Sequence, residues 1–474
     1  MPQAVGLIQR LKHTLGQRQT AWVIGALLLT VLIRAPFFRW PLTEDEGGYA
    51  YTATWWFRGL TLYSRQLWLD RPQAIFVAYR LGMGLLGTST EAIRQWAAVW
   101  ATGTGLFVYA LGSHLFGQRT GVVSALLYAL FSASPNIQGF TANAEVFMLL
   151  PATASAFFLI RQRPAWAGAF ASLAILLKPS GISAVVLAVL WMIYTRVAVR
   201  QLIRFSLSAL PLLLLCVVHG AATVGWQAFL YAMGGSRLQI QQGNTVARAL
   251  FTTIYTMPTW LPPFAVGFWG HRRLPHRASA FLLFWLIGSI AGMSLGGRWF
   301  EHYFMQLIPL LSIYAAHTLV NLTESRSLRR FIAASLLLAT MVTIIGSYIA
   351  LSPEDGARWL FHDLYNEHGT AIAAYLKTHT TEDETVYVAF WGAHVYYLAE
   401  RRSAVPYLYR VHIMNIPGAY DQIVALVQNR IPAYVVTSQM RLPQMDPDER
   451  LWQALARNYE VEATIDSVQL QRRR

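Results

Sequence analysis

Long apolar stretches alternate with short polar connections over the first 350 residues of the chain. A helix that crosses a membrane needs about 20 predominantly apolar residues, and somewhat fewer where the flanking segments adapt. The pattern therefore predicts eleven transmembrane helices and a polytopic membrane domain over residues 1–351. The predicted spans are residues 21–38, 92–112, 120–135, 145–160, 165–177, 180–195, 203–224, 249–270, 279–296, 303–320 and 330–351.

Residues 352–474 depart from this pattern. The segments TVYVAF (385–390) and AYVVTS (433–438) have the short, apolar and β-branched character of buried strands. The stretches 368–379 and 418–429 have the character of helices. The sequence therefore predicts a mostly α fold class for the whole chain, with a small α/β domain at its C-terminal end.

Composition agrees with a membrane protein. The 474-residue chain is 55% hydrophobic and only 13% charged, whereas soluble domains carry about 25% charged residues. A soluble enzyme is therefore excluded. The single cysteine, Cys216, lies in an apolar run, which excludes a disulfide framework and a thiolate metal site.

The net charge of +15 is distributed unevenly. Residues 1–350 hold 26 Lys and Arg against 8 Asp and Glu, whereas residues 351–474 hold 12 against 15. The excess belongs to the membrane part, where topology explains basic residues better than nucleic-acid binding does. With a cytoplasmic N-terminus, 15 of those 26 basic residues fall on predicted inner segments. An odd number of spans then places residues 352–474 on the extracytoplasmic side.

The acidic residues gather on the opposite face. Seven of the eight acids in residues 1–350 fall in predicted outer loops or at outer helix ends. Ionisable groups beside a membrane are costly, so a gathering of them indicates a functional site. The first outer loop, residues 39–90, is too long for a simple connection. It opens with TEDEGGYA (43–50), whose glycines permit close approach of backbone and substrate; alternatively, the three acids merely solvate the loop.

Five short motifs follow one another in a recognisable order. They are DEGGYA (45–50), the stretch Leu60–Gly87 with Tyr63 and DRPQA (70–74), NAE (143–145), LKPSG (177–181) and GRWFEHYFMQLIP (297–309). Over roughly residues 20–320 this order resembles the GT-C glycosyltransferases of the family-39 kind, which include protein O-mannosyltransferases and the aminoarabinose transferase of lipid A. In one departure, Arg71-Pro72-Gln73 stands where that family often has a lysine and two prolines. Arginine still supplies a positive charge and a bidentate fork for phosphate.

The resemblance implies an inverting transfer of a sugar from a polyprenyl-phosphate donor to a glycan, lipid or protein acceptor outside the cytoplasm, in the plasma membrane. By position in the motif, Asp45 is the candidate base for the acceptor hydroxyl. Glu46 is a second candidate base or a residue that orders the loop. Glu145, assisted by Asn143, is the candidate that stabilises positive charge on the sugar ring; the alternative is a salt bridge that ties loops together.

The departing phosphate needs positive charge and hydrogen-bond donors. Lys178 lies between two apolar runs and is the strongest candidate, although its side chain could instead reach the membrane interface. For Arg298 and His302 the alternative is an ordinary interfacial role. The implied donor-phosphate residues are Arg71, Lys178, Arg298, His302 and Tyr303, and Tyr63 is a further candidate for substrate binding. We expect no cofactor and no obligatory metal.

Two other classes of function compete with a transferase. A transporter or flippase of a lipid-linked sugar would place charges near the middle of the bilayer, whereas the predicted spans here are almost free of charge. A membrane scaffold without chemistry requires no gathering of acids and bases on one face. We further expect residues 352–474 to hold the acceptor or to cap the site.

Overall fold

The computed structural model describes residues 19–239, 245–322, 327–361, 364–438, 445–446 and 448–474. Residues 1–18 and 323–326, whose charges enter the orientation argument, lie outside this range. The chain divides into two compact units. The helical unit comprises Met1–Phe38, Glu91–Leu213 and Asn244–Ala350, and the sheet unit comprises Arg39–Thr90, Leu214–Gly243 and Leu351–Arg474. The first outer loop is thus grouped with the C-terminal residues.

A helix lies at each of the eleven predicted spans, and the predicted mostly α character is confirmed. One of these helices, Val199–Val224, contributes residues to both units. The helices at the predicted spans are Gln19–Phe37, Thr90–Phe116, Gln118–Phe131, Ala144–Ile160, Pro164–Leu177, Ile182–Tyr194, Val199–Val224, Thr245–Trp269, His276–Ser294, Ile308–Asn321 and Ser327–Ile349. Short 3₁₀ turns occur at Ala35–Phe37, Pro135–Ile137, Pro179–Gly181, His271–Arg273 and Glu301–Leu307.

Within the described residues, five helical segments are long and apolar enough to cross a membrane by themselves. They are Gln19–Phe37, Val199–Val224, His276–Ser294, Glu301–Asn321 and Phe331–Ile349. Several of the remaining helices are apolar but shorter, such as Pro164–Leu177 with 14 residues, and a span usually has 17 to 25. The protein is therefore a multi-pass membrane protein.

The helices of the helical unit differ in what surrounds them. Almost all of Glu301–Asn321 is buried inside the unit, whereas Phe331–Ile349 is largely exposed although it is at least as apolar. An apolar helix that exposes large side chains is stable where the solvent is lipid. The buried helix instead forms the centre of the unit and is continuous with the motif that begins at Gly297.

The sheet unit combines short helices with one five-stranded sheet. Its helices are Glu44–Phe57, Ala74–Leu86, Trp226–Leu230, Ser236–Gln239, Pro353–Phe361, Leu364–His379, Ala393–Ala399, Arg410–Asn415, Ala419–Gln428 and Arg450–Asn458, with a π-helical turn at Tyr231–Gly235. Its strands are β1 (Thr385–Val388), β2 (Arg402–Ser403), β3 (Tyr434–Ser438), β4 (Tyr459–Ile465) and β5 (Val468–Arg473).

The strand order is β2-β1-β3-β5-β4. Strands β1 and β3 lie at the two predicted strand segments and pair in parallel, with Val386 opposite Tyr434. Strands β4 and β5 form an antiparallel hairpin beside β3 that the sequence analysis missed. Charged and polar residues interrupt the apolar positions of both strands, so neither resembles a buried run. Strand β4 lies at the exposed edge of the sheet. Ala419–Gln428 and Arg450–Asn458 pack their apolar faces into the core beside this sheet.

Candidate active site

The acid motif forms the first turn of the helix Glu44–Phe57. The Thr43 hydroxyl accepts a hydrogen bond from the Glu46 amide at 3.1 Å, and the Glu46 carboxylate accepts one from the Thr43 amide at 2.8 Å. This reciprocal capping satisfies amide groups that would otherwise lack partners. Glu46 is fully buried and therefore orders the helix start, which is one of the two roles expected for it. Asp45 is half-buried on the same turn.

Other parts of the sheet unit pack closely against this helix at the two glycines of the motif. A Cβ on Gly47 would overlap the backbone of His394, and a Cβ on Gly48 would overlap the Tyr409 hydroxyl. The Glu44 carboxylate accepts a hydrogen bond from the Gly392 amide at 3.0 Å. The alternative in which all three acids of the motif merely solvate the loop is therefore wrong for Glu44, whose carboxylate is engaged by the Gly392 amide.

Arg71 belongs to a buried ionic cluster centred on Asp70. The Asp70 carboxylate pairs with Arg71 at 2.6 Å, with Arg237 at 3.0 Å and with His412 at 3.3 Å. Burial alone would raise the pKa of the Asp70 carboxyl, but Arg71, Arg237 and His412 hold it well below its usual range. Burial would also lower the pKa of Arg71, yet Asp70 raises it well above its ordinary value. Both groups are therefore charged at neutral pH.

Two tyrosines fix the position of Arg71. The Tyr63 hydroxyl donates to the Arg71 carbonyl at 2.7 Å, and Arg71 Nε donates to the Tyr49 hydroxyl at 3.3 Å. Tyr63 adopts a positive φ of 65°, a conformation that costs free energy in a residue other than glycine. In this structure Tyr63 thus supports the backbone that carries Arg71.

The helical unit contains a second buried ionic cluster. Glu145 forms an ion pair with Lys178, and His302 Nε2 lies 3.6 Å from the same carboxylate oxygen. The Lys178 ammonium also lies 4.5 Å from the centre of the Tyr303 ring, a favourable cation–π distance. Glu145 Oε2, the other carboxylate oxygen, has no hydrogen-bond partner within the described residues. The salt bridge considered for Glu145 is therefore present, and it leaves one oxygen available.

Local sequence explains how these side chains meet. Glu145 lies on the first turn of Ala144–Ile160, and Lys178 follows the end of Pro164–Leu177, where Pro179 stops the helix. Asn143 occupies the N-cap position of the helix Ala144–Ile160. Its side-chain amide donates a hydrogen bond to the Gln138 side chain at 3.1 Å. Arg298 lies half-buried in the segment before Glu301–Leu307, so its role stays a prediction.

The candidate residues therefore fall into two sets. The helical unit holds Asn143, Glu145, Lys178, Arg298, His302 and Tyr303, and the sheet unit holds Asp45, Glu46, Tyr63 and Arg71. Sequence reasoning missed the ionic partners Arg237 and His412 and the neighbouring Tyr409. No local pattern marks them, because each lies more than 160 residues along the chain from Asp70.

Solved structures of other membrane proteins have the same fold. ArnT from Cupriavidus metallidurans bound to undecaprenyl phosphate matches with a TM-score of 0.65 and 16% identity, over 95% of this chain and 97% of ArnT. The oligosaccharyltransferase AglB from Archaeoglobus fulgidus, in complex with an inhibitory peptide and a dolichol-phosphate, matches with a TM-score of 0.56 and 13% identity, over 95% of this chain and 74% of AglB. The chain has the GT-C fold of these membrane transferases.

Sequence comparison adds a more particular result. Residues 70–226 match the family model described as dolichyl-phosphate-mannose-protein mannosyltransferase. The matched segment contains the motifs NAE and LKPSG and the DRPQA part of the second motif, so the resemblance to GT-C glycosyltransferases is confirmed. A comparison with curated proteins finds no match.

Proposed function

We propose that this protein is an inverting glycosyltransferase, which moves a sugar from a polyprenyl-phosphate donor to an acceptor on the extracytoplasmic face of the plasma membrane. The match of residues 70–226 to a mannosyltransferase family, on a GT-C fold, carries the proposal. Two proteins with this fold have been solved with undecaprenyl phosphate or dolichol-phosphate bound. A polyprenyl carrier is therefore the donor class that we propose here.

Asp45 acts in this proposal as the base that takes the proton of the acceptor hydroxyl. A positioned base must be held by its surroundings and must keep an oxygen for the substrate. The capping of the helix start by Thr43 and Glu46 holds the turn that carries Asp45. No hydrogen bond or ion pair engages the Asp45 carboxylate in the described structure. These two features favour Asp45 over Glu46, whose carboxylate is already used within the cap.

Arg71 binds the donor phosphate in this proposal, with Arg298 as a further candidate. A guanidinium offers five N–H donors in a fixed fork. The hydrogen bonds of Arg71 in the described structure use Nε and Nη1. The Nη2 donors therefore remain available to a phosphate oxygen.

Glu145 and Lys178 act as a charge-balanced pair. The free oxygen of Glu145 is suited to stabilise positive charge that develops at the anomeric carbon. The Lys178 ammonium has three donors, so it can bind a phosphate oxygen while it keeps Glu145. His302 and Tyr303 hold this pair in position by the contacts given above, and Asn143 precedes the helix that carries Glu145. A buried charge without a partner would be costly.

Membrane topology completes the proposal. All eleven helices at the predicted spans cross the membrane, the N-terminus is cytoplasmic and the C-terminal residues are extracytoplasmic.

We also propose that no metal is required, which an assay with and without a chelator tests directly. An unchanged rate with the chelator agrees with this, and a loss restored by a divalent cation contradicts it.

A comparison of cells tests the function. Polyprenyl-phosphate sugars and surface glycans are measured by mass spectrometry in cells that lack the gene, restored with wild type or with Asp45→Asn. We expect one glycan to lose a single sugar while its lipid-linked donor accumulates, and only wild type to reverse both changes. Unchanged pools with both proteins well expressed would contradict the proposal, and the glycan affected would identify the sugar.

A further inference from the structure

The Tyr409 hydroxyl is a buried polar group that the proposed reaction does not yet use. Tyr409 is only 7% exposed, and its hydroxyl has no hydrogen-bond partner among the described residues. A buried hydroxyl without a partner is unfavourable, because it has lost its hydrogen bonds to water and gained none in return. Such a group is readily explained when its partner is a bound ligand.

The surroundings of Tyr409 place this hydroxyl beside the candidate catalytic residues of the sheet unit. Gly48, in the acid motif, makes room for the hydroxyl because a side chain there would overlap it. The Tyr409 ring packs edge-on against the His412 imidazole, with 5.4 Å between centroids. His412 pairs with Asp70, the partner of Arg71. The hydroxyl is thus held between the acid motif and the Arg71 cluster.

Electrostatics define what the hydroxyl can bind. Burial, followed by the charge of Asp45, raises the pKa of Tyr409 well above its ordinary value. The group therefore keeps its proton and acts as a donor, so its partner must offer an acceptor oxygen. Arg71 also acts electrostatically on the hydroxyl, and its guanidinium favours an anionic acceptor oxygen over a neutral one.

We propose that Tyr409 donates a hydrogen bond to a phosphoryl oxygen of the lipid-linked donor bound at Arg71. This inference rests on the proposed function, because that function supplies the donor. Negative charge on the phosphoryl group grows as its bond to the anomeric carbon breaks, so the hydrogen bond strengthens in the transition state. Tyr409 is then a substrate-binding residue contributed by the C-terminal part of the chain.

Tyr409→Phe removes only the hydroxyl. The probe is undecaprenyl phosphate, titrated into the purified full-length protein in detergent, with inorganic phosphate as a second probe. A hydrogen bond to a charged group corresponds to a roughly 10- to 100-fold change in Kd, so we expect undecaprenyl phosphate to bind that much more weakly. The Tm without ligand should stay constant or rise, because an unsatisfied buried group is removed.

Tyr407→Phe is the matched control. Tyr407 lies two residues away, and its ring packs against Trp68 at 5.7 Å between centroids, a contact that the substitution keeps. We expect wild-type affinity for undecaprenyl phosphate in this variant. The control separates the effect of the Tyr409 hydroxyl from a general effect of removing a nearby phenol.

Each contradicting result has a distinct meaning. Equal affinity of wild type and Tyr409→Phe overturns the role of Tyr409 and leaves the proposed donor intact. A lower Tm or a failure to fold in Tyr409→Phe means that the hydroxyl serves the fold, which also overturns the inference. If wild type binds no undecaprenyl phosphate, or binds inorganic phosphate equally well, the lipid-linked donor itself is contradicted.

Discussion

Asp70→Asn should destabilise the sheet unit strongly while changing its shape very little. Asn retains the size of Asp and one acceptor oxygen, but it removes the carboxylate charge with which Arg71 and Arg237 both pair. Asp70 is 5% exposed and Arg237 is 30% exposed, so Arg237 can recover part of its hydration. Removing one partner of a buried ion pair costs about 3–5 kcal/mol, and we expect the lower end, about 3 kcal/mol.

Thermal unfolding in detergent measures this cost. For a unit of roughly 200 residues, about 3 kcal/mol corresponds to a fall in Tm of about 6–12 °C. Asp421→Asn is the matched control, because Asp421 pairs with Arg450 at 2.8 Å but is 67% exposed. Exposed pairs contribute little, so no measurable change is expected there. Equal changes in Tm for the two variants would refute the account of the Asp70 cluster.

The pH dependence of the same difference gives a second check. The folded-state pKa of Asp70 is lowered, so the stabilisation is fully present above the ordinary carboxyl pKa of about 3.9. It is lost as the pH falls further, because the unfolded state then binds a proton that the folded state does not. The difference in Tm between wild type and Asp70→Asn should therefore shrink as the pH falls from about 4 towards about 2. A difference that has already disappeared at about pH 5 contradicts the assignment.

Three further predictions use other parts of the chain. Asp45→Asn should lower the rate of transfer by about 10²- to 10⁴-fold at unchanged Tm, and near-normal transfer would remove Asp45 as the base. Glu145→Gln and Lys178→Gln should each destabilise by about 3–5 kcal/mol, with the double variant less affected than the sum of the two; additive changes in Tm would argue against a coupled pair. Gly47→Ala should lower Tm because its Cβ would overlap the His394 backbone, whereas Gly84→Ala, a helical glycine with open space around it, should raise Tm by removing backbone freedom. The reverse order of these two glycine variants would contradict the close packing at Gly47.

The elements that could be predicted from sequence are those with a strong local pattern. All eleven apolar stretches became helices because each carries its own periodicity or apolar run, and β1 and β3 were recognisable as buried runs. The hairpin of β4 and β5 was missed because neither strand is a continuous apolar run like β1 and β3, and β4 is largely exposed. Local sequence therefore predicts elements well where burial is complete and poorly at a sheet edge.

The site was predictable in part, for a related reason. The short motif LKPSG indicated Lys178 from local sequence alone. The structure shows that the ionic partner of Lys178 is Glu145, which lies 33 residues away in the sequence. The environment of Arg71 depends on Arg237 and His412, which reach Asp70 only through folding. Local sequence gives no signal for such distant pairs, so the ionic cluster around Asp70 could be found only from the structure.

The most direct test of the central claim is a transfer reaction in detergent solution. Purified wild type or Asp45→Asn is mixed with detergent-solubilised membranes from cells that lack the gene, and free polyprenyl phosphate and glycosylated products are measured by mass spectrometry. Detergent solution has no separate membrane leaflets, so the activity of a flippase would produce no change in this assay. A transferase should release polyprenyl phosphate and form a new glycoconjugate with wild type only. If the lipid-linked sugars are consumed equally by both proteins, or by neither, the account of this protein as a transferase with Asp45 as its base is contradicted.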